Sequence, residues 1–331
     1  MVGKKVALVL GSGGARGYAH IGALDVLNER GYEVVAVAGS SMGALVGGLH
    51  AAGKLADYTD WVTSLTQRDV LRLLDVSLNG PGVLRLERVL ARVTEYIDGV
   101  QIEDLPIPFT AVASDLGARR EVWFTSGPLE TAIRASIAIP AMITPIMVNG
   151  RLLVDGGVLN PVPMEPVMGV DADFTMAINL SGEKNHHFST SPTKESAAQR
   201  PAHEWLDRFR RSAAGVWESE FVASILARLS RSDDNQVAPL YESPPSGLSI
   251  ADVTWMSLDA MESLITRYRL AALPPDVLVT VPTDSIKTMD FHRAPEQIAL
   301  GRTLTEAALD DAFGDETPED LIEDTRREIG A

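Results

Sequence analysis

The sequence predicts an α/β fold built on a mainly parallel central sheet with helices on both faces. Short apolar or β-branched runs such as "KVALVL" and "EVVAVAG" are each followed by a stretch of helical periodicity. Strand and helix alternating at this pace mark parallel strands joined by helical crossovers. The chain has 331 residues, 45% of them hydrophobic, enough to bury one large core or two modest ones.

The elements follow in order. "KVALVL" (Lys5–Leu10) reads as a buried strand, and "ARGYAHIGALDVLNERG" as a helix ended by Gly31. "EVVAVAG" is the second strand and "MGALVGGLHAAG" the helix after it. Residues Asp57–Asp98 read as mainly helical, broken by the turn residues of "LNGPG" (Leu78–Gly82). Ile107–Leu116 and Arg120–Gly127 read as strands, and "LETAIRASIAIPAM" as a helix stopped near Pro140. "IMVNGRLLVDGG" is a hairpin turning at Asn149–Gly150, the pair that most readily adopts a tight two-residue reversal. Phe174–Leu180 is a further buried strand.

Beyond Glu183 the apolar period disappears into a polar connector, about 183–201. Helical stretches near His203–Arg231 and Ile250–Leu273 form an excursion, about 202–273, split by the breaker-rich "ESPPSG". A strand at Asp276–Pro282 and a helix from "APEQIALGRTLTEAAL" close the fold, about 276–312, before an acidic tail at 313–331. A strand after the excursion can rejoin the sheet. One domain spanning 1–331, with a catalytic core at about 5–182, is therefore expected over two separate ones.

Composition excludes several classes of function. There are no cysteines, hence no disulfide framework, thiolate nucleophile or thiolate metal site, and a reducing cytoplasm is the expected compartment. The net charge of -16 disfavours nucleic acid and gives no pull toward anionic lipid, so any membrane contact is expected to be transient. The apolar run Val6–Leu10 is too short for a signal peptide and enters a glycine turn instead of a cleavage site. No stretch approaches the roughly 18 apolar residues of a membrane span, so the chain is expected to be soluble.

Three motifs carry chemistry. In "VAGSSMGALVGG", Ser41 lies between Gly39 and Gly43. A lone Gly-x-Ser-x-Gly arises by chance in about one in six chains of this size, so the context has to decide. Here a strand leads in and a helix leads out, the setting that exposes a serine hydroxyl at a sheet edge. The bland alternative is that Ser41 merely caps the helix. The second motif, "LGSGGARG", follows the first strand and opens a helix. Its N–H groups would favour negative charge, and lacking the spacing of a phosphate or dinucleotide loop it suits an oxyanion better.

Ser41 needs a base, because a free hydroxyl is a weak nucleophile near neutral pH. None of the six histidines, His20, His50, His186, His187, His203 and His292, carries a triad signature. The third motif offers an acid: Asp155 in "LLVDGGVLNPVP" ends an apolar strand and is followed by Gly156 and Gly157. Asp-Gly-Gly is also a common structural turn.

The ordered set "GSGGARG", "GSSMG" and "DGG", with "ASIAIPAMITP" before the last and "NPVP" after it, resembles the bacterial branch of the patatin-like phospholipases. The resemblance covers Lys5–Leu180 and, more weakly, "TMDFHRAPEQIALGR". It implies a three-layer α/β/α fold and a Ser–Asp dyad in place of a triad. Carried over by position, Ser41 is the nucleophile and Asp155 its proton acceptor. The oxyanion hole is then formed around Gly13, Gly14, Ala15 and Arg16, with Gly39, Gly43, Gly156 and Gly157 in support. Ser12 departs from the family pattern, standing where a glycine is usual.

The function implied is a serine esterase or lipid acyl hydrolase acting on phospholipids or related acyl esters, with no metal and no cofactor. Transfer of the acyl group to another acceptor, or a weakly active lipid-binding scaffold, are the alternatives. Oligomeric state is not legible. Arg16 is expected to hold the glycine loop rather than meet a phosphate, and His20, Arg134 and Pro140 to support the site. Trp255, Leu258, Met261, Ile265 and Tyr268 are expected to form a core stripe rather than a lid or interfacial face. From the reference aspartate pKa of about 3.9, activity is expected to persist from about pH 7 to 5.5.

Overall fold

The computed structural model describes residues 3–73, 75–76, 82–85, 87–183 and 250–314. The polar connector, the first helix of the excursion and the acidic tail beyond Gly314 lie outside the described residues.

The chain runs β1 (Lys5–Leu10), a 3-10 turn (Gly14–Tyr18), α1 (Ala19–Glu29), β2 (Glu33–Ser40), α2 (Met42–Ala51), α3 (Leu55–Ser64) and α4 (Gln67–Leu73). Next come β3 (Asp75–Val76), β4 (Gly82–Arg85), α5 (Glu87–Ile97), β5 (Phe109–Asp115), β6 (Arg120–Phe124) and α6 (Leu129–Ser136). Then follow β7 (Ala141–Ile143), β8 (Ile146–Val148), β9 (Arg151–Asp155) and β10 (Phe174–Gly182). After the undescribed segment stand α7 (Ile250–Ala272), β11 (Val277–Pro282) and α8 (Ala294–Phe313).

The main sheet has the order β11-β10-β1-β2-β5-β9-β8, with β6 also paired to β5. β11, β10, β1, β2 and β5 run parallel, while β6 and β9 pair antiparallel with β5. The expected mainly parallel sheet is therefore present, and the strand after the excursion rejoins it beside β10. Side chains alternate across its two faces as the pleat requires. Val6, Leu8 and Leu10 of β1 join a large core with α1, α2, α3, α6 and α8. Ala7 and Val9 join a smaller one with Val162, Met164 and Leu270 of α7. Helices thus cover both faces, thickly on one and thinly on the other.

Two expectations shift. Most of the "LNGPG" break lies outside the described residues, but the helical reading around it gives way to two short strands, β3 and β4, which pair with each other, β4 also pairing with β7 in a separate three-stranded sheet. α6 ends at Ser136, four residues short of Pro140, whose ring would clash with the Ser136 carbonyl if the helix ran on. The Asn149–Gly150 reversal is as expected, with φ of 50° and 74° at the two turn residues.

Candidate active site

Ser41 sits at the junction of β2 and α2 with φ 55° and ψ −122°, a left-handed conformation that a residue with a side chain adopts only under constraint. Neighbouring close approach supplies that constraint. A Cβ on Gly43 would stand 2.0 Å from the Leu10 carbonyl oxygen, and one on Gly39 would stand 2.4 Å from Gly43. Only glycines let α2 pass this close to the ends of β1 and β2. The Ser41 N–H donates to Ser136 Oγ (2.9 Å), which itself donates to the Val112 carbonyl oxygen (2.5 Å). Ser40 Oγ donates to the Asn160 carbonyl oxygen (2.6 Å). The strained turn is thus pinned from β5, α6 and the loop after β9.

Asp155 ends β9, across β5 from Ser41: Ser40 is in register with Val112, and Ala113 with Asp155. Ser41 Oγ donates to Asp155 Oδ2 at 2.5 Å, and the Gly157 N–H donates to Oδ1 at 2.7 Å. Both residues are nearly closed to solvent, at 2% and 5% exposure. Burial pushes the Asp155 carboxyl up to about 7, against the pull of the hydrogen bonds from Ser41 and Gly157, which favour the charged form. A Cβ on Gly157 would stand 2.5 Å from Ser12 Oγ, and one on Gly156 2.1 Å from the Val112 carbonyl oxygen. These two glycines let the Asp155 turn lie directly on β5 and on the glycine loop.

The glycine loop faces the same point. Gly14 takes a positive φ of 58° and closes against Thr288. The Ala15 N–H is spent on the Thr288 carbonyl oxygen (2.9 Å), so the expected donor set of Gly13, Gly14, Ala15 and Arg16 narrows. Among the described residues, Gly13 and Gly14 donate no backbone hydrogen bond outside their own turn. Arg16 is buried, donates to the Thr283 carbonyl oxygen (3.3 Å) and lies 3.8 Å from Asp259, a packing role in line with expectation. His20 is fully buried with Nε2 on the Gly11 carbonyl oxygen (2.9 Å), and burial drives its pKa down to about 4. It is neutral at working pH and braces the loop. Arg134 donates to the Thr144 carbonyl oxygen (2.8 Å), bracing the segment that carries Pro140. Among the described residues, no histidine hydrogen-bonds Ser41.

Ser41 and Gly14 open onto a pocket of about 650 Å³, its open mouth included, lined among others by Tyr58, Trp61, Val62, Ile139 and Phe291. The apolar chamber beside the serine is therefore supplied by α3 and its neighbours, and not by the stripe of α7. On α7, Met261 and Tyr268 are 53% and 70% exposed, contrary to the expected core stripe, while Leu258 and Ile265 are half-buried. The Trp255 side chain lies outside the described residues. The reason is that α7 docks through its polar face. Arg269 Nε donates to the Leu159 carbonyl oxygen (3.1 Å), and its two terminal nitrogens bind Glu165 and Glu121. Asn160 Nδ2, fully buried, donates to the same two carboxylates at 2.8 and 3.0 Å.

That docking brings in Glu262, which motif reading passed over. Ser12 Oγ donates to Glu262 Oε1. Burial, and after it the charge of Asp155, raise the Glu262 carboxyl to about 8, while Arg16 pulls it down. Ser136 and Asn160 lie within the quoted "ASIAIPAMITP" and "NPVP", but no role for either follows from those motifs alone.

Chemically, a hydroxyl hydrogen-bonded to a buried carboxyl, beside N–H groups without a partner among the described residues and an apolar chamber, suits attack on the carbonyl of an acyl ester. Among the described residues, no group of acidic or histidine side chains could hold a metal ion, and no helix is long and apolar enough to cross a membrane.

Comparison with known proteins gives the same family as the motifs. The family described as patatin-like phospholipase matches residues 8–168. The chain is 45% identical to an uncharacterized NTE family protein of Mycobacterium tuberculosis, over 92% of this chain and 91% of that protein. It is 32% identical to human patatin-like phospholipase domain-containing protein 6, over 57% of this chain and 14% of that protein. It is also 31% identical to lysophospholipase NTE1 of Mycosarcoma maydis, over 54% of this chain and 10% of that protein.

Proposed function

The chain belongs to the patatin-like phospholipase family, a family of ester-bond hydrolases, and from that premise we propose that it cleaves acyl esters of phospholipids or lysophospholipids through Ser41 and Asp155. The observation that carries the reading is the 2.5 Å hydrogen bond from Ser41 Oγ to Asp155 Oδ2 at the edge of an apolar pocket.

In this reading Asp155 accepts the Ser41 proton as Oγ attacks the ester carbonyl. The tetrahedral oxyanion is met by the N–H groups of Gly13 and Gly14, where a single donor is worth about 10²–10³ in rate. The alcohol leaves with the proton from Asp155, and the acyl chain occupies the pocket beside Tyr58, Trp61 and Val62. Asp155 then takes a proton from water, whose oxygen releases the acid and regenerates Ser41. The Ser41 backbone is held by Ser136, so the hydroxyl needs little reorganisation before attack.

The test is hydrolysis of a panel of short esters, phospholipids and lysophospholipids by the wild type, Ser41→Ala and Asp155→Ala. Acyl release by the wild type, with both variants reduced by 10³-fold or more, is the expected outcome, on the order of what loss of a catalytic nucleophile costs. Equal turnover by all three removes the dyad from the reaction.

A further inference from the structure

Ser12 is the one position at which the glycine loop departs from its family pattern, and its side chain is engaged. Its N–H donates to the Pro161 carbonyl oxygen (2.8 Å), its Oγ lies against Gly157, and that Oγ donates to Glu262. A chain of contacts therefore runs from α7 through Glu262, Ser12 and Gly157 to Asp155 and Ser41. Glu262 does not reach the site by chance of a mobile side chain. The Arg269 fork on Glu121 and Glu165 fixes its helix two turns away, and Leu258 and Ile265 are half-buried on the same side.

We propose that Glu262 is a positioning residue for the glycine loop, holding Ser12 in register with the Asp155 turn, and that it does so as the neutral acid. The proposal rests on the Ser41–Asp155 reading above. Three charged groups face Glu262: Asp155 from the end of β9, Arg16 from the glycine loop and Asp259 from its own helix. Arg16 alone is positive, and it is shared with Asp259. Glu262 feels the charge of Asp155, and two carboxyls that oppose each other's ionisation keep the proton on one while the other serves as base. With Asp155 as the base of the reading above, the proton is the one on Glu262. In that state Glu262 anchors Ser12 without adding charge. Once Glu262 also loses its proton, negative charge stands one residue from Gly13, where the oxyanion must develop, and the transition state is opposed.

The experiment is the pH profile of kcat and KM on a short p-nitrophenyl ester for the wild type, Glu262→Gln, Glu262→Ala and Ser12→Ala, with folding checked by thermal melting. The wild type is expected to lose activity above about pH 8, falling about 100-fold by pH 10 for a single ionisation. Glu262→Gln keeps a neutral hydrogen-bonding group and is expected to lose that alkaline fall. Glu262→Ala and Ser12→Ala are expected to lower kcat about 10-fold or more at pH 7.5 with KM little changed, and Glu262→Gln to recover most of that loss. A wild-type profile flat from pH 8 to 10, an alkaline fall retained in Glu262→Gln, or a Glu262→Ala kcat equal to wild type overturns the proposal. If Ser41→Ala hydrolyses the ester as fast as the wild type, the reading beneath it fails instead.

Discussion

The acid side of the pH profile follows from where Asp155 sits. An exposed aspartate would be ionised almost completely at pH 5.5, and a hydrolase using it would lose nothing between pH 7.5 and 5.5. Asp155 is instead buried to 5% exposure, and desolvation raises it to about 7, so that only the ionised fraction can take the Ser41 proton. At pH 5.5 that fraction is about 3%, against more than half at pH 7.5 once the Glu262 step near 8 is included. The kcat/KM for a short ester should therefore fall about 20-fold from pH 7.5 to 5.5, with unit slope on the acid side. This replaces the flat profile expected from the reference aspartate. Glu262→Gln should leave the acid side in place, because burial and not the Glu262 charge sets it. The assay is initial rates across pH 5 to 9 at fixed ionic strength. A kcat/KM that stays level down to pH 5.5 would refute the desolvation argument and leave Asp155 an ordinary ionised carboxylate.

The same burial has a cost in stability. Its folded pKa of about 7 lies above the unfolded value near 3.8, so the folded state holds the extra proton and stability falls as pH rises through that window. Asp155→Asn should therefore be inactive yet melt higher than the wild type above pH 7, by an amount that shrinks toward pH 4; equal melting shifts at both pH values would contradict it. Ser136→Ala strips the Ser41 N–H of its acceptor and should cost about 1–3 kcal/mol in urea unfolding, with kcat lowered more than KM. Gly43→Ala sets a methyl 2.0 Å from the Leu10 carbonyl oxygen and should cost about 3 kcal/mol or more, read as loss of soluble folded protein or a sharply lowered melting point. Val62→Phe narrows the apolar pocket and should cut kcat/KM for long acyl chains about 10-fold relative to butyrate, whereas unchanged chain-length preference would place the acyl group elsewhere.

What could be read ahead of the structure was local. The strand, turn and helix around Ser41, the β1 glycine loop and the Asn149–Gly150 hairpin each follow from residues adjacent in sequence, where backbone propensity and turn chemistry act directly. The hydrogen bonds that secure the Ser41 turn were not legible. Ser136 lies 95 residues from Ser41, and Glu262 lies 250 from Ser12, with an excursion between them. Helical periodicity marks an apolar stripe on α7 and points to it as the docked face, which the exposure of Met261 and Tyr268 contradicts. Glu262 and Arg269 dock instead, on Ser12, Glu121 and Glu165, and leave Met261 and Tyr268 outside. The pH expectation is revised for a related reason: a reference pKa belongs to a residue in water, and burial is a property of the assembled fold.

The serine itself is best tested by covalent capture. The protein is treated with a fluorophosphonate probe, and the modified peptide is mapped by mass spectrometry in the wild type, Ser41→Ala and Asp155→Asn. One adduct per chain on Ser41, absent in Ser41→Ala and formed at least about 100-fold more slowly in Asp155→Asn, is the expected result for a hydroxyl activated by that carboxylate. An adduct on another residue, or labelling of Ser41→Ala at the wild-type rate, would contradict it.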